Sequence, residues 1–411
     1  MNIVIVCDWA YAGGGAEKVA VDTAIGLRQA GHAVHFIAAV GPAAPGLQEA
    51  GVVLHLTGEQ ELRHKGALDL VSSGLWSGRA KALTERVLAQ LPRGDTVVHI
   101  HAWQRALTAA CLQACTNSGH PLVLTAHEYG SACPNQGFFD YQRQQICERT
   151  ALGLDCLTTH CDTRTYAHKL WRTARVVLQR KLASFPDSVG DVIFLSQLSR
   201  SVLSPYFHAG TRWHAVRNPM ALKQVPRAMA ELNRSVLFVG RLSFEKGPDI
   251  FCRSLAATGL PGVVVGDGPM GDALRAQHPA MRYAGWCDAA GVRQELQRAR
   301  ALVLPSRWYE GQPLVVQEAL SMGVPVLVSD RTGAREAVEH GVSGLHFRHM
   351  DESALGQALL SLADDALVRS MSEQAYQRFW QAPQTMQSHC DELGQVYAGA
   401  LAARSAVKEA A

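Results

Sequence analysis

The sequence lacks the features that carry a chain into or across a membrane. It begins MNIVIVCDWAYAGGG, without the positively charged start of a secretory signal. No window offers the roughly 20 apolar residues that a spanning helix needs. Ten cysteines without an export signal favour reduced thiols or metal ligands over a disulfide framework. We therefore expect a cytoplasmic protein.

An excess of charge of one sign is also missing. The 39 Lys and Arg residues and the 36 Asp and Glu residues leave a formal net charge of +3. Nucleic-acid-binding domains normally carry a strongly basic face. This balance therefore predicts that nucleic acid is not a partner.

Motifs of other enzyme classes are absent too. The run Gly13, Gly14 and Gly15 does not have the G-x-G-x-x-G spacing of dinucleotide-binding enzymes, which argues against an oxidoreductase. No D-x-D pair is present to hold a divalent cation on a diphosphate, so cationic side chains and helix amides would have to stabilise it. The sequence predicts chemistry that requires no cofactor.

What the sequence does contain is an alternation of short apolar runs and longer amphipathic segments. This pattern is typical of parallel strands covered by helices on both faces. With 411 residues and 47% apolar content, the chain is too long for one ordinary core, so we predict an α/β fold of two domains. The predicted strands are 3–7, 34–39, 52–56, 97–101, 122–125 and 192–196 in the first half and 235–239, 262–266, 281–284, 301–305, 325–329 and 344–347 in the second.

The segment VRNPMALKQVP separates the two halves. Asn218-Pro219 and Pro226 interrupt regular structure there and suit a linker. The predicted domains are therefore an N-terminal domain over 1–216, with a cysteine-bearing insertion over about 130–165, and a C-terminal domain over 217–375. For the remaining helical segment, 376–411, packing back on the N-terminal domain is one arrangement.

Two cations follow the first strand of the second half. Arg241 and Lys246 leave the carboxyl end of the strand RSVLFVG, the edge at which open α/β sheets bind ligands. Arg offers a fork of donors and Lys a point charge, and both suit a diphosphate. For this segment alone, a solvated basic loop is the simpler interpretation.

Two carboxylates occur in LPSRWYEGQPLVVQEAL. Glu310 lies in a loop after a predicted strand, and Glu318 lies inside a helix expected to start near Pro313. The helix start leaves backbone N–H groups that attract phosphate, flanked by two acceptors for sugar hydroxyls. A loop charge and a helix-face carboxylate are the plain alternative, but the apolar neighbours favour partial burial.

These residues belong to an ordered series of motifs. The chain carries Gly240-Arg241-Leu242 with Lys246-Gly247, then Gly266-Asp267-Gly268-Pro269, then Glu310 and Glu318, then Gly323-Val324-Pro325-Val326. In that order, over roughly ninety residues, they resemble the donor domain of the family 4 retaining glycosyltransferases, whereas a lone E-x7-E would be a weak signal. Asn218-Pro219 and the segment 13–17 extend the resemblance over most of the chain.

The resemblance implies the GT-B fold, in which two Rossmann-like domains face each other across a cleft, and a role for each motif. The diphosphate would be held by Arg241 and Lys246, and the ribose hydroxyls by Glu318. Glu310 would hold the donor sugar together with backbone amides, while glycines of the N-terminal domain would close on the phosphates. The amides are those of Gly311, Gln312 and Leu314, and the glycines are Gly14 and Gly15.

Histidines follow or line strands of the first half. His127, in LTAHEYG, comes directly after a predicted strand, and the resemblance places a histidine here near the donor sugar. We therefore give His127 a catalytic role beside Glu310, with a structural histidine as the alternative. His99 and His101 share one face of a strand and are interpreted as core or acceptor-side residues, since no third metal ligand is evident.

Four cysteines fall within the predicted insertion. They could bind a structural zinc, with His160 replacing one ligand, or remain reduced buried thiols, because the paired C-x2-C spacing of common zinc folds is missing. Cysteine-bearing insertions also occur in some family 4 members. The four are Cys133, Cys147, Cys156 and Cys161.

Basic residues cluster in the helical segment that follows the insertion. A solvated basic face is the ordinary interpretation, and docking on anionic lipid, where a polyprenyl-linked acceptor would sit, is the sharper one. The basic residues are Lys169, Arg172, Arg175, Arg180 and Lys181.

Trp286 follows a predicted strand end in the second half and either faces the nucleotide base or belongs to the core.

The sequence thus predicts a metal-independent glycosyltransferase of the hexosyltransferase type, and the resemblance to family 4 implies that it retains the anomeric configuration. Its donor would be a UDP- or GDP-linked sugar, and its acceptor a hydroxyl of a glycan or a polyprenyl-linked lipid in cell-surface polysaccharide biosynthesis. A glycosidase using Glu310 and Glu318 leaves the phosphate-site motifs without a purpose. A nucleotide-sugar-binding protein without catalytic activity is the remaining alternative.

Overall fold

The computed structural model describes residues 1–64, 66, 69, 73–220 and 223–409. The chain forms two compact units. The first contains Met1–Arg143, Cys147–Met220 and Gln384–Ala411, and the second contains Gln144–Ile146 and Ala221–Pro383. Two residues of the predicted linker, at positions 221 and 222, lie outside the described part of the chain.

The first unit is built on a seven-stranded parallel sheet in the order β3-β2-β1-β4-β5-β8-β9. In its centre, Ile3 lies opposite Val34 on one side and Val97 on the other. Its strands are β1 (Asn2–Trp9), β2 (Ala33–Val40), β3 (Val53–Leu56), β4 (Thr96–Ile100), β5 (Leu122–Thr125), β8 (Asp191–Phe194) and β9 (Arg212–Ala215). The short β6 (Phe139–Asp140) and β7 (Gln145–Ile146) form a separate two-stranded sheet.

Helices flank this sheet, as the crossovers between parallel strands require. They are α1 (Gly15–Gln29), α2 (Pro45–Glu49), α3 (Gly78–Ala89), α4 (Thr108–Ser118), α5 (Leu154–Thr158), α6 (Tyr166–Ala183) and α7 (Gln197–Leu203), with single turns of 3₁₀ helix at Leu62–His64 and Ser204–Tyr206.

The second unit has a six-stranded parallel sheet in the order β12-β11-β10-β13-β14-β15. Its strands are β10 (Ser235–Val239), β11 (Gly262–Val265), β12 (Arg282–Gly285), β13 (Ala299–Leu304), β14 (Val326–Ser329) and β15 (Gly344–Phe347). Its helices are α8 (Pro248–Ala256), α9 (Gly271–Gln277), α10 (Ala289–Gln297), α11 (Leu314–Ser321), α12 (Glu352–Ser361) and α13 (Asp365–Gln381), with 3₁₀ turns at Ala230–Leu232, Phe244–Lys246 and Gly333–Glu336.

The last helix, α14 (Met386–Glu409), belongs to the first unit. Its Leu393, Val396 and Tyr397 lie in the buried core formed with β1 and α1. The hydroxyl of Tyr397 also lies 2.7 Å from Nδ1 of His99 on β4. Helix α14 therefore packs into the same hydrophobic core as β1 and α1.

All twelve strands predicted from the apolar runs are present, within a few residues of their predicted bounds. The prediction missed β9, whose sequence RWHA is exposed at both ends because it lies at the edge of the sheet. It also missed the two-residue strands β6 and β7. One helix start differs by a residue, since α11 begins at Leu314 and Pro313 is its N-cap in an extended conformation.

Candidate functional site

The second unit brings the two predicted cations to one sheet edge. Arg241 follows the carboxyl end of β10 and is exposed. Among the described residues its side chain has no hydrogen-bond or ion-pair partner, so its guanidinium is available to a ligand. Lys246 ends the 3₁₀ turn Phe244–Lys246 in the same loop and is 27% exposed.

Two glycines allow the loops at this edge to touch. Gly247 has φ +70°, and a Cβ there would lie 2.2 Å from the carbonyl oxygen of Pro305, just after β13. Gly266, with φ +133°, would place a Cβ 1.9 Å from the carbonyl oxygen of Gly240. Side chains at these positions would therefore push the loops apart.

Lys246 and Glu310 form an ion pair although 64 positions separate them along the chain. The ammonium Nζ of Lys246 donates to Oε1 of Glu310 at 2.7 Å. The same oxygen accepts from Ser306 Oγ at 2.8 Å and from Trp308 Nε1 at 2.9 Å. Three donors thus hold Oε1 of the carboxylate, and the hydrogen bonds described for this side chain leave Oε2 unused.

The electrostatics keep Glu310 ionised. Burial would raise the pKa of this carboxyl, but the charge of Lys246 and the hydrogen bonds from Lys246, Trp308 and Ser306 together lower it below its ordinary value. The site therefore offers a fixed negative charge beside a fixed positive one.

Sequence reasoning missed Trp308, which contacts both members of this pair. Its indole N–H donates to Glu310, and the Lys246 ammonium lies 5.1 Å from the centre of its ring. The sequence contained a signal for this contact, because a tryptophan two positions before Glu310 can reach its carboxylate. A cation on an aromatic face adds an attraction of about 0.5–2 kcal/mol.

A second missed residue, Arg307, ties the two loops together. It is buried and donates from Nη1 and Nη2 to the two carboxylate oxygens of Asp249, at 2.7 and 2.6 Å. Its Nη1 also donates to the carbonyl oxygen of Phe244 at 2.6 Å, and its backbone N–H donates to the carbonyl of Glu245 at 2.8 Å. The turn that carries Lys246 is therefore fastened to the loop that carries Glu310.

The loop after Glu310 leads directly into helix α11. Leu314 is the first residue of α11, so its backbone N–H has no acceptor inside the helix. Gly311 and Gln312 are half-buried in the loop before it, and Glu318 lies one turn further along α11, also half-buried. The carbonyl of Glu310 accepts the N–H of Gly333 at 2.8 Å, which anchors the loop to the segment after β14.

In the first unit, His127 is joined to a histidine network. Its Nε2 lies 2.9 Å from Nδ1 of His101, and the two rings stack with centroids 5.2 Å apart. His99 bridges Thr125, through Nε2 at 2.7 Å, and Tyr397, through Nδ1. Both strand histidines are buried, as their interpretation as core or acceptor-side residues allows.

Burial lowers the pKa of all three histidines, to about 3 for His127 and well below the ordinary value for His99 and His101. Neighbouring histidines add to this effect. The rings are therefore neutral at physiological pH, and the bond between His101 and His127 joins one N–H to one bare nitrogen.

A small cavity of ≈ 20 Å³ lies beside this network. Its lining includes His101, His127, Glu17 and Ser131. Nε2 of His101 and Oγ of Ser131 are buried and have no hydrogen-bond partner. The volume suffices for one water-sized group, so the cavity fits a single hydroxyl.

The predicted phosphate glycines lie at the start of α1. Gly14 is the N-cap of this helix, and a Cβ there would lie 2.7 Å from Oε2 of Glu17. Gly15 has open space where a Cβ would be. Burial raises the pKa of Glu17, with a further contribution from Glu128, which favours the neutral form of this carboxyl.

The four cysteines of the insertion are free thiols, three of them buried and Cys147 half-buried. Burial raises the pKa of Cys133 to about 11 and that of Cys161 to about 12, with smaller contributions from the other thiols of the group. In the described part of the chain, no three His, Cys, Asp or Glu side chains are grouped so as to hold a metal ion. The zinc site stays a prediction.

Helix α6 does not present a simple solvated basic face. Lys169 is 1% exposed, and its ammonium donates to the backbone carbonyls of Cys156 and Leu157. Arg172 and Arg175 are half-buried. The expectation of a solvated basic face was wrong for these residues, because α6 packs its basic side against α4 and the insertion.

Trp286 is 76% exposed, so its interpretation as a core residue was wrong, while the alternative of a base contact stays a prediction.

Among the residues that the structure describes, no helix is long and apolar enough to cross a membrane.

Comparison with known families identifies the class. Residues 13–224, more than half of the chain, match the family described as Glycosyltransferase Family 4, and residues 233–365 match the one described as Glycosyl transferases group 1. The chain therefore belongs to Glycosyltransferase Family 4.

Curated relatives match parts of the chain. A glycogen synthase of Mycobacterium tuberculosis is 34% identical over 162 residues, which are 37% of this chain and 38% of that protein. A GDP-mannose-dependent alpha-mannosyltransferase of Corynebacterium glutamicum is 26% identical over 240 residues, 56% of this chain and 55% of the relative. The chain thus spans about half or less of the length of these relatives.

Solved structures match nearly the whole chain. Sucrose-phosphate synthase from Thermosynechococcus elongatus has a TM-score of 0.70 at 18% identity, covering 98% of this chain and 99% of that one. Anabaena Alr3699/HepE in complex with UDP has a TM-score of 0.65 at 17% identity, covering 97% and 100%. Two parallel-sheet α/β units with such neighbours establish the GT-B fold.

Proposed function

We propose that this chain is a retaining, metal-independent glycosyltransferase that moves a hexose from a nucleotide sugar to a hydroxyl group. The acceptor is a glycan or a lipid-linked glycan, and the setting is cell-surface polysaccharide biosynthesis on the cytoplasmic face of a membrane. The name of the Corynebacterium relative, which specifies GDP-mannose, and the UDP complex of the Anabaena protein support a GDP- or UDP-linked donor.

The observation that carries this proposal is the ion pair between Lys246 and Glu310 at the start of α11. A fixed cation suits the diphosphate, and a fixed carboxylate one hydrogen bond away suits the sugar attached to it. The exposed Arg241 lies in the same loop as Lys246 and supplies a second cation.

Each part of the donor then has a partner. Arg241 and Lys246 hold the diphosphate, and Glu318 accepts hydrogen bonds from the ribose hydroxyls. Glu310 holds the sugar hydroxyls together with three backbone amides, and two glycines are proposed to contact the phosphates. The amides are those of Gly311, Gln312 and Leu314, and the glycines are Gly14 and Gly15.

We propose the following reaction for this arrangement. The bond between the anomeric carbon and the diphosphate oxygen breaks, and the electron pair leaves with the diphosphate, whose charge Arg241 and Lys246 stabilise. The acceptor hydroxyl oxygen bonds to the same face of the anomeric carbon, which preserves its configuration. The hydroxyl proton passes to an oxygen of the departing diphosphate. Glu310 stabilises the positive charge that develops on the sugar.

His127 is proposed as a hydrogen-bond partner of the donor sugar. Its Nε2 is bonded to His101, which leaves Nδ1 for a substrate hydroxyl. Because its pKa is about 3, the ring is neutral and serves as a hydrogen-bond partner rather than as a charged acid at physiological pH. The single-hydroxyl cavity lined by His101 and Ser131 suits the acceptor side of the reaction.

A lipid-linked acceptor would bring the protein to a membrane surface. The outer side of α6 exposes Leu170, Val177 and Leu182, at 45%, 40% and 47%, next to the exposed Lys181. Apolar side chains flanked by a cation suit shallow contact with anionic lipid. Sedimentation with phosphatidylglycerol vesicles tests this contact, and Leu170→Glu with Val177→Glu should abolish it.

We also propose that the cysteine insertion binds one structural zinc per chain through Cys133, Cys147, Cys156 and Cys161. The motivation is the presence of four thiols in one short insertion, with Arg149 donating to Sγ of Cys147 at 3.5 Å. The thiols would have to move together to form a tetrahedral site. Elemental analysis of purified protein decides between stoichiometric zinc and plain thiols.

The proposed activity is tested in two steps. A thermal-shift screen of UDP- and GDP-linked sugars finds the donor, because a ligand that binds only the native state raises the melting temperature. Release of nucleoside diphosphate is then followed with and without candidate acceptors. Release that depends on an acceptor supports a transferase, whereas binding without any release supports the alternative, a nucleotide-sugar-binding protein without catalytic activity.

A further inference from the structure

A second cavity in the first unit is lined by cations and amides. It has a volume of ≈ 20 Å³, and its lining includes Arg172, Arg175, Gln104, Gln136 and Gln179. It borders the cavity that contains His101 and Ser131, since Gln104 lines both. None of the roles proposed above uses these two arginines.

Arg175 is a half-buried cation that lacks an acidic partner. Its Nη2 donates to the backbone carbonyl oxygen of Gln104, and its guanidinium lies 5.0 Å from the centre of the Trp171 ring. In the part of the chain that the structure describes, no carboxylate lies within ion-pair distance of it. A carbonyl and an aromatic ring offset only part of the cost of removing this charge from water.

The electrostatics at Arg175 show the same imbalance. Burial lowers the pKa of Arg175 to about 10, the charge of Asp8 opposes this shift, and the neighbouring Arg172 adds to it. Arg175 is still protonated at physiological pH. Asp8 lies beyond ion-pair distance of Arg175, and its carboxylate accepts the backbone N–H groups of the segment 105–107 at 2.7 to 2.9 Å.

Arg172 lies one turn away on α6 and uses only part of its guanidinium. Its Nε lies 3.2 Å from Oδ2 of Asp162, and its Nη1 donates to Oδ1 of Asn135 at 2.9 Å. Asp162 therefore balances one arginine and leaves the other uncompensated. Two like charges that border one cavity favour an anion between them.

A strained residue forms part of the same wall. Gln136 has φ 65°, in the left-handed region, and hydrogen bonds fix it there: its N–H donates to Cys133 at 2.9 Å, and its carbonyl accepts from Tyr129 at 3.2 Å. Such a conformation is unfavourable for a residue with a side chain and persists only where the surroundings determine it. Here it adds an amide side chain to the cavity that contains both arginines.

We propose that this cavity is an anion subsite in which Arg175 and Arg172 bind a phosphate group carried by the acceptor. The inference deepens the proposed function and rests on it. The shared chemistry is that of a phosphate ester, and two acceptor classes carry it: a soluble sugar phosphate and a prenyl-linked diphosphate. The cavity, at ≈ 20 Å³, holds one oxygen atom of the phosphate, and the rest of the phosphate and of the acceptor lies outside it.

Titration calorimetry of the full chain tests the subsite. The probes are inorganic phosphate, glucose 1-phosphate and farnesyl diphosphate, each added in the presence of saturating UDP or GDP so that the proposed donor site is occupied. We expect the wild type to bind at least one probe. Arg175→Met should weaken that binding by at least about 10-fold, since a charge-assisted contact is lost. Stronger binding of the prenyl probe would identify a lipid-linked acceptor, and equal binding of glucose 1-phosphate a soluble one.

The matched control is Arg200→Met, which removes an exposed arginine of α7 in the same unit and should leave probe binding unchanged. Arg175→Lys, which keeps the charge but not the planar fork, replaces Arg175→Met if that variant does not fold, and it should also weaken binding. Unchanged binding in both Arg175 variants, or nucleotide binding without any phosphate binding, would overturn the subsite. If the wild type binds neither UDP nor GDP, the result would instead overturn the proposed donor site.

Discussion

At the scale of single residues, one carboxylate oxygen organises the donor site. Oε1 of Glu310 accepts from Lys246, Ser306 and Trp308 at 2.7, 2.8 and 2.9 Å. A carboxylate held by three donors is fixed in position before any ligand arrives. Arg241, by contrast, is exposed and without a partner within the described residues, so ordering it against a ligand costs side-chain entropy.

This difference predicts two kinds of defect at the phosphate site. Arg241→Ala should raise the Kd for free nucleoside diphosphate by about 10-fold or more without changing thermal stability, since it removes a charge-assisted contact of about 1.5–3 kcal/mol. Lys246→Met should weaken binding similarly and also lower the melting temperature, because Glu310 stays buried without its cation. Calorimetry and thermal melts measure the two effects.

The double variant Lys246→Met with Glu310→Gln is the control for the second defect. It removes both charges and should recover most of the lost stability. Equal melting temperatures for Lys246→Met and the wild type would contradict the proposed importance of the ion pair.

Trp308 should act as a positioning residue for Glu310. Trp308→Phe keeps an aromatic ring near Lys246 but removes the N–H that holds Oε1, so turnover should fall by about 5- to 10-fold while the affinity for free nucleoside diphosphate changes by less than about 2-fold. The matched control is Trp380→Phe, which removes an indole bond to the carbonyl of Ser321 in the same unit. A loss of nucleotide affinity in Trp308→Phe would assign it to nucleotide binding instead.

The sequence predicted these residues unequally. Arg241, Lys246 and Glu310 could be placed at strand ends because each follows an apolar run with a glycine nearby. The ion pair between Lys246 and Glu310 could not be predicted from the sequence. It depends on a tertiary contact between two loops, in which Gly247 packs against Pro305. The family pattern gave no role to position 308.

At the scale of elements, two loops are joined by a buried ion pair. Arg307 and Asp249 connect the segment after β13 to the first turn of α8. Burial would raise the pKa of Asp249, but its hydrogen bonds to Arg307 and the charges of Arg307 and Arg253 lower it below its ordinary value of 3.8. Asp249 therefore stabilises the folded state above that pH, and the contribution is lost as the pH falls through the lower folded-state pKa.

Asp249→Asn should lower the free energy of unfolding at pH 7 by about 3–5 kcal/mol, because Arg307 is left buried without its charge partner. The difference from the wild type should shrink as the pH falls below about 3.8, which denaturant titrations at several pH values measure. Glu339→Gln, which breaks the exposed pair with Arg378, is the control and should cost less than about 1 kcal/mol. Similar losses in both variants would contradict the account of this loop contact.

The elements themselves were largely predictable. Buried parallel strands are continuous apolar runs, and the twelve predicted strands have this form because both sheet faces are covered. Strand β9 escaped detection because an edge strand with the sequence RWHA lacks that pattern. The face of α6 was assigned incorrectly because the basic residues at 169, 172 and 175 look solvent-facing in sequence, and only tertiary packing shows that they turn inward.

At the scale of the whole molecule, the order of segments along the chain shapes both units. The chain leaves the first unit near Met220 and returns to it at Gln384, so that α14 fills the core beside β1 and α1. Sequence alone left this return open, because an amphipathic helix does not specify which unit it covers. Family membership was predicted correctly from the order and spacing of the motifs, and the two parallel sheets from the alternation of apolar and amphipathic segments.

Glu310 and Glu318 are proposed to contact different parts of one donor. The most direct test compares the variants Glu310→Gln and Glu318→Gln. Titration calorimetry measures their binding of free UDP and GDP, and a kinetic assay measures turnover of the identified donor. Glu318→Gln should weaken nucleotide binding and raise the donor KM more than it lowers kcat, since ribose contacts act equally in the ground and transition states. Glu310→Gln should bind free nucleotide almost normally while turnover collapses, and His127→Ala should resemble it. Impaired nucleotide binding in Glu310→Gln together with normal binding in Glu318→Gln would contradict the placement of the donor along this segment.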